Sequence, residues 1–268
     1  MTDHVDPSLL AALAREGLDG VEGAFAYGGG RDLVKPGLGD RQRTHLCIAD
    51  GRGRTHDLYL KRYGPESLVA RLKRFLKTGR SASPARIECE NIRAARAAGV
   101  PTMQAVSWGE EPGLLPRRGY LVVAAVPGDA LERAGREFLA RADQQGAVEE
   151  FTRRLADLVR ALHGAGLVHR DLYSSHIFLH DAPGGPELHL IDLARAFRPR
   201  WRTFRWFVKD LAQLKCSMDG AWVASCWEAF LRRYLGDGAE GELVRYNRAV
   251  DRKVAAMRSR ARRNKGRG

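Results

Sequence analysis

With 268 residues and a hydrophobic content of 44%, the chain has enough apolar sequence for the core of one large or two-lobed domain, which excludes wholesale disorder. Lysine and arginine number 45 against 32 acids, and the resulting +13 points to an anionic partner: phosphate groups, an acidic membrane surface or nucleic acid. The four cysteines, Cys47, Cys89, Cys216 and Cys226, form no CxxC pair and no zinc spacing, as expected of thiols in a reducing compartment. The first residues, MTDHVDPSLLAALAREGLDG, lack the basic-then-apolar order of a signal peptide, and no run of 18 apolar residues occurs. The expectation is a soluble protein on the side of the membrane where ATP is available.

In chain order, residues 8–16 are predicted as a short amphipathic helix. GAFAYGGGRDLVKPGLGD alternates weakly and breaks at Gly28, Gly29 and Gly30. RTHLCIADGRGRTHDLYLKRY is predicted as a β-hairpin around a glycine-rich turn. PESLVARLKRFL and PARIECENIRAARAAG have helical spacing, the second ending at Gly99 before Val100-Pro101. GYLVVAAV is a buried-strand candidate closed by Pro127-Gly128. A helix over residues 147–164 places Phe151, Leu155, Leu158, Val159 and Leu162 on one face and leads into LVHRDLYSSHIFL. ELHLIDLARAF is a further strand with an acid at its end, and from Phe204 onward the chain is helical and strongly basic at the tail. Strands with one helix come first and helices after, so the predicted class is α+β, with a small β-rich lobe over residues 15–126 and a mostly helical lobe over 127–260. Residues 252–268 are expected as a flexible basic tail.

Several acids and cations fall in an order that phosphoryl transfer requires, since that chemistry asks the protein mainly to position a nucleotide and neutralise charge. A kinase catalytic loop reads H-R-D-L, three further residues, then asparagine. Here His169-Arg170-Asp171-Leu172 matches and His176 stands at the asparagine position. Asp171 is the candidate base, orienting an acceptor hydroxyl and taking its proton; His169 and Arg170 are expected to brace the loop. Lys61, on a predicted strand, is the candidate for the nucleotide phosphates, with Glu88 its first-choice partner and Glu90 the second. Asp192, 21 positions beyond Asp171, is the candidate metal ligand, although its triplet is Asp192-Leu193-Ala194 rather than D-F-G. His176 has two readings, a neutral imidazole on the metal or a hydrogen bond within the loop, and ligation is favoured. Gly28, Gly29 and Gly30 are candidates for a phosphate cradle or for a plain turn.

HRDLYSSHIFL, LIDLARA and RWFVKDLAQL, in this order, resemble the lipopolysaccharide kinase family, bacterial enzymes that phosphorylate heptose or Kdo sugars of the inner core. ARIECENIRAARAAGVPT is similar to the family's helix and G-V-P-T segment, and VKPGL and LYLKRY have the same flavour; the likeness covers residues 21–260. The family carries histidine where protein kinases have asparagine, and members also lack D-F-G. The resemblance implies a protein-kinase-like two-lobed fold, ATP with Mg2+ or Mn2+, and a lipid-linked sugar acceptor at the inner face of the cytoplasmic membrane. It implies Asp171 as catalytic base, and Lys61, His176 and Asp192 as ATP or metal residues.

Only 17 residues separate Asp192 from Asp210, with no A-P-E, leaving little room for a switchable activation loop or an extended peptide. A small or sugar-like acceptor follows, held by ARAFRPRWRTFRW, whose arginines suit anionic groups and whose tryptophans suit sugar faces. The basic tail is expected to contact an anionic membrane surface. The alternatives are a kinase of another small molecule or a protein, and a nucleotide-binding pseudokinase without catalysis. Nucleic-acid binding rests on charge alone, with no recognised module, and is not expected.

Overall fold

The computed structural model describes residues 5–33, 41–65, 67, 69, 72, 75, 82–112, 118–141, 145–236 and 240–265, and the chain divides into two compact units, Met1–Val126 and Pro127–Gly268. The helix predicted for PESLVARLKRFL and the segment VKPGL lie largely or wholly outside the described residues.

In the first unit, helices α1 (Pro7–Arg15) and α2 (Val21–Ala26) precede strands β1 (Arg31–Asp32), β2 (Arg41–Ala49) and β3 (Thr55–Tyr63). Helix α3 (Pro84–Ala97) and strands β4 (Ala105–Glu110) and β5 (Gly119–Ala124) complete it. The antiparallel sheet runs β1-β2-β3-β5-β4. Period-two alternation sorts its faces. Leu46, Ile48, Leu58, Leu60, Tyr120 and Val122 pack against Leu9, Leu13 and Leu18, while Lys61 occupies the other face. The β2–β3 turn is built on Asp50, whose carboxylate accepts from the amides of Arg52 at 2.8 Å and Arg54 at 3.0 Å. Ser83 caps α3 and Pro84 opens it; Gly99, at φ 76°, ends it. The weakly alternating stretch after residue 20 is in part the helix α2, a short element whose pattern is too brief to read.

The second unit holds strand β6 (Asp129–Ala130), helices α4 (Leu131–Arg141) and α5 (Gln145–Gly164), strands β7 (Ile177–Ala182) and β8 (Gly185–Leu190), and helices α6 (Thr203–Ser217), α7 (Gly220–Leu235) and α8 (Glu240–Lys265). The three strands form one small sheet, β6-β7-β8. The apolar stripe of α5, Phe151 to Leu162, is buried as its spacing predicts, each large side chain contributing roughly 1.5–3 kcal/mol. Trp222 on α7 packs edge-on against Phe151 and donates its indole N–H to Thr152 at 3.0 Å.

Helix α8 continues through residues 252–265, most of the segment expected as a basic tail. Alanine, arginine, lysine and methionine are strong helix formers, no glycine or proline interrupts the run before Gly266, and Val250 and Val254 are buried. Lys215 on α6 pairs with Asp251 at 2.6 Å, holding the helix in place. No helix of the described residues is long and apolar enough to cross a membrane.

Candidate active site

In the first unit, Lys61 on β3 and Glu88 on α3 meet with Nζ 2.6 Å from Oε1, both side chains almost wholly buried. Glu88 receives the Tyr63 hydroxyl on its other oxygen, so each carboxylate oxygen has a donor. A buried pair is stable only under such saturation, since each charge has lost its water. Glu90, the second choice from sequence, instead pairs with Arg86 at 2.9 Å on the outer surface of α3.

Gly28, Gly29 and Gly30 lie in the same unit immediately before β1. Gly30 has φ 81°, and a Cβ there would collide with the His45 carbonyl, so its lack of a side chain has a packing reason independent of any phosphate.

In the second unit, the loop after α5 is held from α6. Asp210, fully buried, accepts from the His169 amide at 2.6 Å and from the Arg170 amide at 2.8 Å. Arg170 can therefore keep its left-handed φ of 72°, a conformation costing of order 1–3 kcal/mol that persists only when its surroundings over-determine it. Lys209 adds a bond from its ammonium to the Arg170 carbonyl, and burial pulls that ammonium down to about 8 against the opposing attraction of Asp210 and Asp171. His163 on α5 lies 3.4 Å from Asp210 and 2.7 Å from the Tyr234 hydroxyl, linking three helices beneath the loop. His169 is fully buried, stands 2.9 Å from the Ile191 carbonyl, and burial pushes its imidazole down, so it is neutral.

The loop then presents its polar atoms. His176 Nδ1 is 2.7 Å from the Asp171 carbonyl. A carbonyl only accepts, so Nδ1 carries a proton, and the tautomer that could bind a cation has its lone pair on Nε2. That Nε2 is 3.9 Å from Asp192 Oδ2. Asp192 sits in the left-handed region at φ 60°, on the turn between β8 and a short 3-10 helix, Leu193–Arg195. Arg195 from that helix reaches the Asp171 carboxylate at 2.8 Å. Asp171, His176 and Asp192 are thus gathered within one unit, and Lys61 and Glu88 within the other.

Two nitrogen and oxygen acceptors facing each other at 3.9 Å suit a shared cation. Around an ion with ligands at ~2.1 Å, adjacent donors lie about 3.0 Å apart and opposite donors about 4.2 Å, so the observed spacing falls between the two and nearer the opposite arrangement. Of the two ions, a donor set of one imidazole and one carboxylate suits manganese better than magnesium, which prefers oxygen ligands alone.

Arg195, Lys209 and Asp210 were not singled out as site residues from the sequence. Asp210 left a signal, an acid one turn or less from Val208, Leu211, Ala212 and Leu214, where a buried carboxylate needs donors. Arg195 lay within ARAFRPRWRTFRW, read as an acceptor segment rather than as a partner of Asp171, and Lys209 lay within the motif RWFVKDLAQL with nothing to single it out.

The family profile described as "Lipopolysaccharide kinase (Kdo/WaaP) family" matches residues 42–234. "Lipopolysaccharide core heptose(I) kinase WaaP" of Pseudomonas aeruginosa is 35% identical over 136 residues, 48% of this chain and 51% of the relative. The protein of the same name from Escherichia coli is 32% identical over 134 residues, 47% of this chain and 50% of the relative. The chain therefore spans about half the length of the curated relatives it matches. A solved structure, "WaaP in complex with acyl carrier protein", superposes with a TM-score of 0.67 and 24% identity, covering 93% of this chain and 97% of that one. That likeness shows a protein-kinase-like fold of class α+β.

Proposed function

The chain belongs to the lipopolysaccharide kinase (Kdo/WaaP) family, and from that premise we propose that it is an ATP-dependent phosphotransferase acting on a sugar hydroxyl of a lipopolysaccharide-core-like or other lipid-linked glycan. The observation that carries the reading is the pair of acceptor atoms, His176 Nε2 and Asp192 Oδ2, turned toward each other beside Asp171.

Bound ATP with its divalent ion supplies the activated phosphoryl group and offsets its charge. Lys61, kept in place by Glu88, would hold the nucleotide phosphates; His176 and Asp192 would hold the ion. Asp171 orients the acceptor hydroxyl and accepts its proton, with Arg195 restraining the carboxylate and Asp210 fixing the loop that carries it. Gly28 and Gly29 would supply backbone amides toward the phosphates, while Gly30 is required by its packing against the His45 carbonyl.

A lipid-linked acceptor places the work at the inner face of the cytoplasmic membrane. The basic residues of α8 and the exposed Trp201, flanked by Arg200 and Arg202, suit peripheral contact with an anionic surface.

The test is transfer of the γ-phosphate from ATP to lipopolysaccharide core oligosaccharide stripped of phosphate, with Mg2+ or Mn2+. Asp171→Ala lowers turnover by about two to four orders of magnitude, the scale of a lost general base, with ATP affinity nearly unchanged. Wild-type turnover in that variant removes Asp171 from the mechanism.

A further inference from the structure

A cavity of about 230 Å³ lies in the second unit against the catalytic loop, walled by the first turns of α4, by Ser174, and by the α6–α7 connection. Ser174 stands three positions past Asp171, a chain distance of at most ~10 Å. Its amide donates to the Ser217 hydroxyl and its own hydroxyl donates to the Ser217 carbonyl, both at 2.8 Å. Two hydrogen bonds therefore tie the loop to the cavity wall.

The lining is polar and nearly balanced in charge. Glu132 and Asp219 supply carboxylates, Arg136 a guanidinium, and Met218 an apolar patch. Among the described residues neither Glu132 nor Arg136 has a salt-bridge partner, and Asp219 caps α7 through Oδ1, leaving Oδ2 outside the cap. Gly135, mid-helix on α4, lines the cavity, and a Cβ there would stand 2.7 Å from Leu131 Cδ1. The groove between α6 and α8 contrasts with it: Arg205, Lys209, Arg252 and Lys253 line that one, with no acid. In a protein of charge +13, a cavity with two acids and one base is not built for phosphate. Carboxylates accept from hydroxyls, a guanidinium donates to hydroxyl and ring oxygens, and a thioether covers a C–H face; together these match a polyol. The volume equals roughly eight waters at ~30 Å³ each, room for one sugar ring.

We propose that this cavity is the acceptor subsite and takes one uncharged polyol ring of the glycan, held by Glu132, Arg136 and Asp219. The inference rests on the phosphotransferase reading above and adds to it where the acceptor binds and what chemistry selects it. The test uses the full chain with two probes: a methyl heptoside, whose dissociation constant is read by saturation-transfer NMR, and phosphate-stripped core oligosaccharide in the transfer assay. Glu132→Ala and Arg136→Ala raise the heptoside dissociation constant and the oligosaccharide KM about tenfold or more, with the KM for ATP as internal control. Asp219→Asn, which still caps α7, shows the same direction and an unchanged melting temperature. Wild-type heptoside affinity in both alanine variants overturns the proposal, even where transfer from ATP is robust. A wild-type protein that transfers no phosphate sinks the kinase reading instead; heptoside binding that depends on Glu132 would still support the cavity.

Discussion

Arg195 Nη1 stands 2.8 Å from Oδ2 and 3.0 Å from Oδ1 of Asp171, so one guanidinium nitrogen spans the carboxylate proposed as the base. Both groups are partly exposed, and such a pair contributes about 0–1 kcal/mol to folding. Its value lies in aim: a reacting group misplaced by about 1 Å loses on the order of a hundredfold in rate. Arg195→Ala is expected to lower kcat about ten- to a hundredfold with an unchanged melting temperature. Guanidinium chloride at millimolar levels should restore part of the rate, and Arg195→Lys should keep much of it, because a single cationic nitrogen makes both contacts. Full activity in the alanine variant would show that Asp171 aims itself.

Lys61 and Glu88 are coupled through burial. Removing either partner strands the other charge away from water, at about 3–5 kcal/mol, whereas replacing both with apolar groups of similar volume is far milder. Urea denaturation should therefore rank Lys61→Met/Glu88→Met as more stable than either single variant. Strictly additive losses would mean that the two groups do not sense each other.

His176→Ala should raise the Mn2+ dissociation constant, measured calorimetrically without substrate turnover, by about ten- to a hundredfold if the imidazole is a ligand. His176→Asn, which supplies an amide oxygen, should recover much of that loss. An unchanged Mn2+ titration in the alanine variant assigns the residue solely to its bond with the Asp171 carbonyl.

Long periodic elements were legible before any coordinates. The stripe on α5, the β2–β3 hairpin and the cap-to-glycine span of α3 follow from spacing and end signals strong enough to survive tertiary context. Short elements such as α2 and β6 were not, since six or two residues give no period to count. At the site, HRDLYSSH named a loop but not its support. Asp210 acts across 40 positions of sequence from Arg170, and that pairing exists only once α6 has packed. The choice of Glu88 over Glu90 likewise depends on which face of α3 turns to the sheet.

The buried His169 makes stability depend on pH with a definite sign. Burial holds its imidazole below the usual value, so in acid the unfolded chain binds a proton there that the folded chain refuses. The unfolded imidazole titrates near 6.5, so stability should be level above about pH 7 and fall as the pH drops toward 5. His169→Gln keeps a donor for the Ile191 carbonyl without titrating, and its denaturation free energy should decline less steeply over that range. Equal slopes would remove His169 as the cause.

For the basic helix, substitution is a cleaner test than truncation, because Val254 is buried and deletion would open the core. Changing Arg258, Arg260, Arg262 and Arg263 to glutamine should weaken binding to phosphatidylserine vesicles at low salt. At about 1 kcal/mol per charge the loss is at most about 4 kcal/mol, and it should fade as salt screens the surface. Equal co-sedimentation of the two proteins would leave the helix without a membrane role.

The dependence of the HRD loop on one carboxylate has a consequence for how activity arises during folding. Asp210 satisfies two amides of the loop at once and fixes the left-handed turn at Arg170. The loop holds no regular structure through that turn and cannot rehearse its active shape in isolation. Competence should therefore appear late and abruptly in refolding, in step with the docking of α6, with no partly active intermediate preceding it. A dilution-refolding course followed by turnover and by the fluorescence of a variant that keeps Trp206 as its single tryptophan would then trace a single curve.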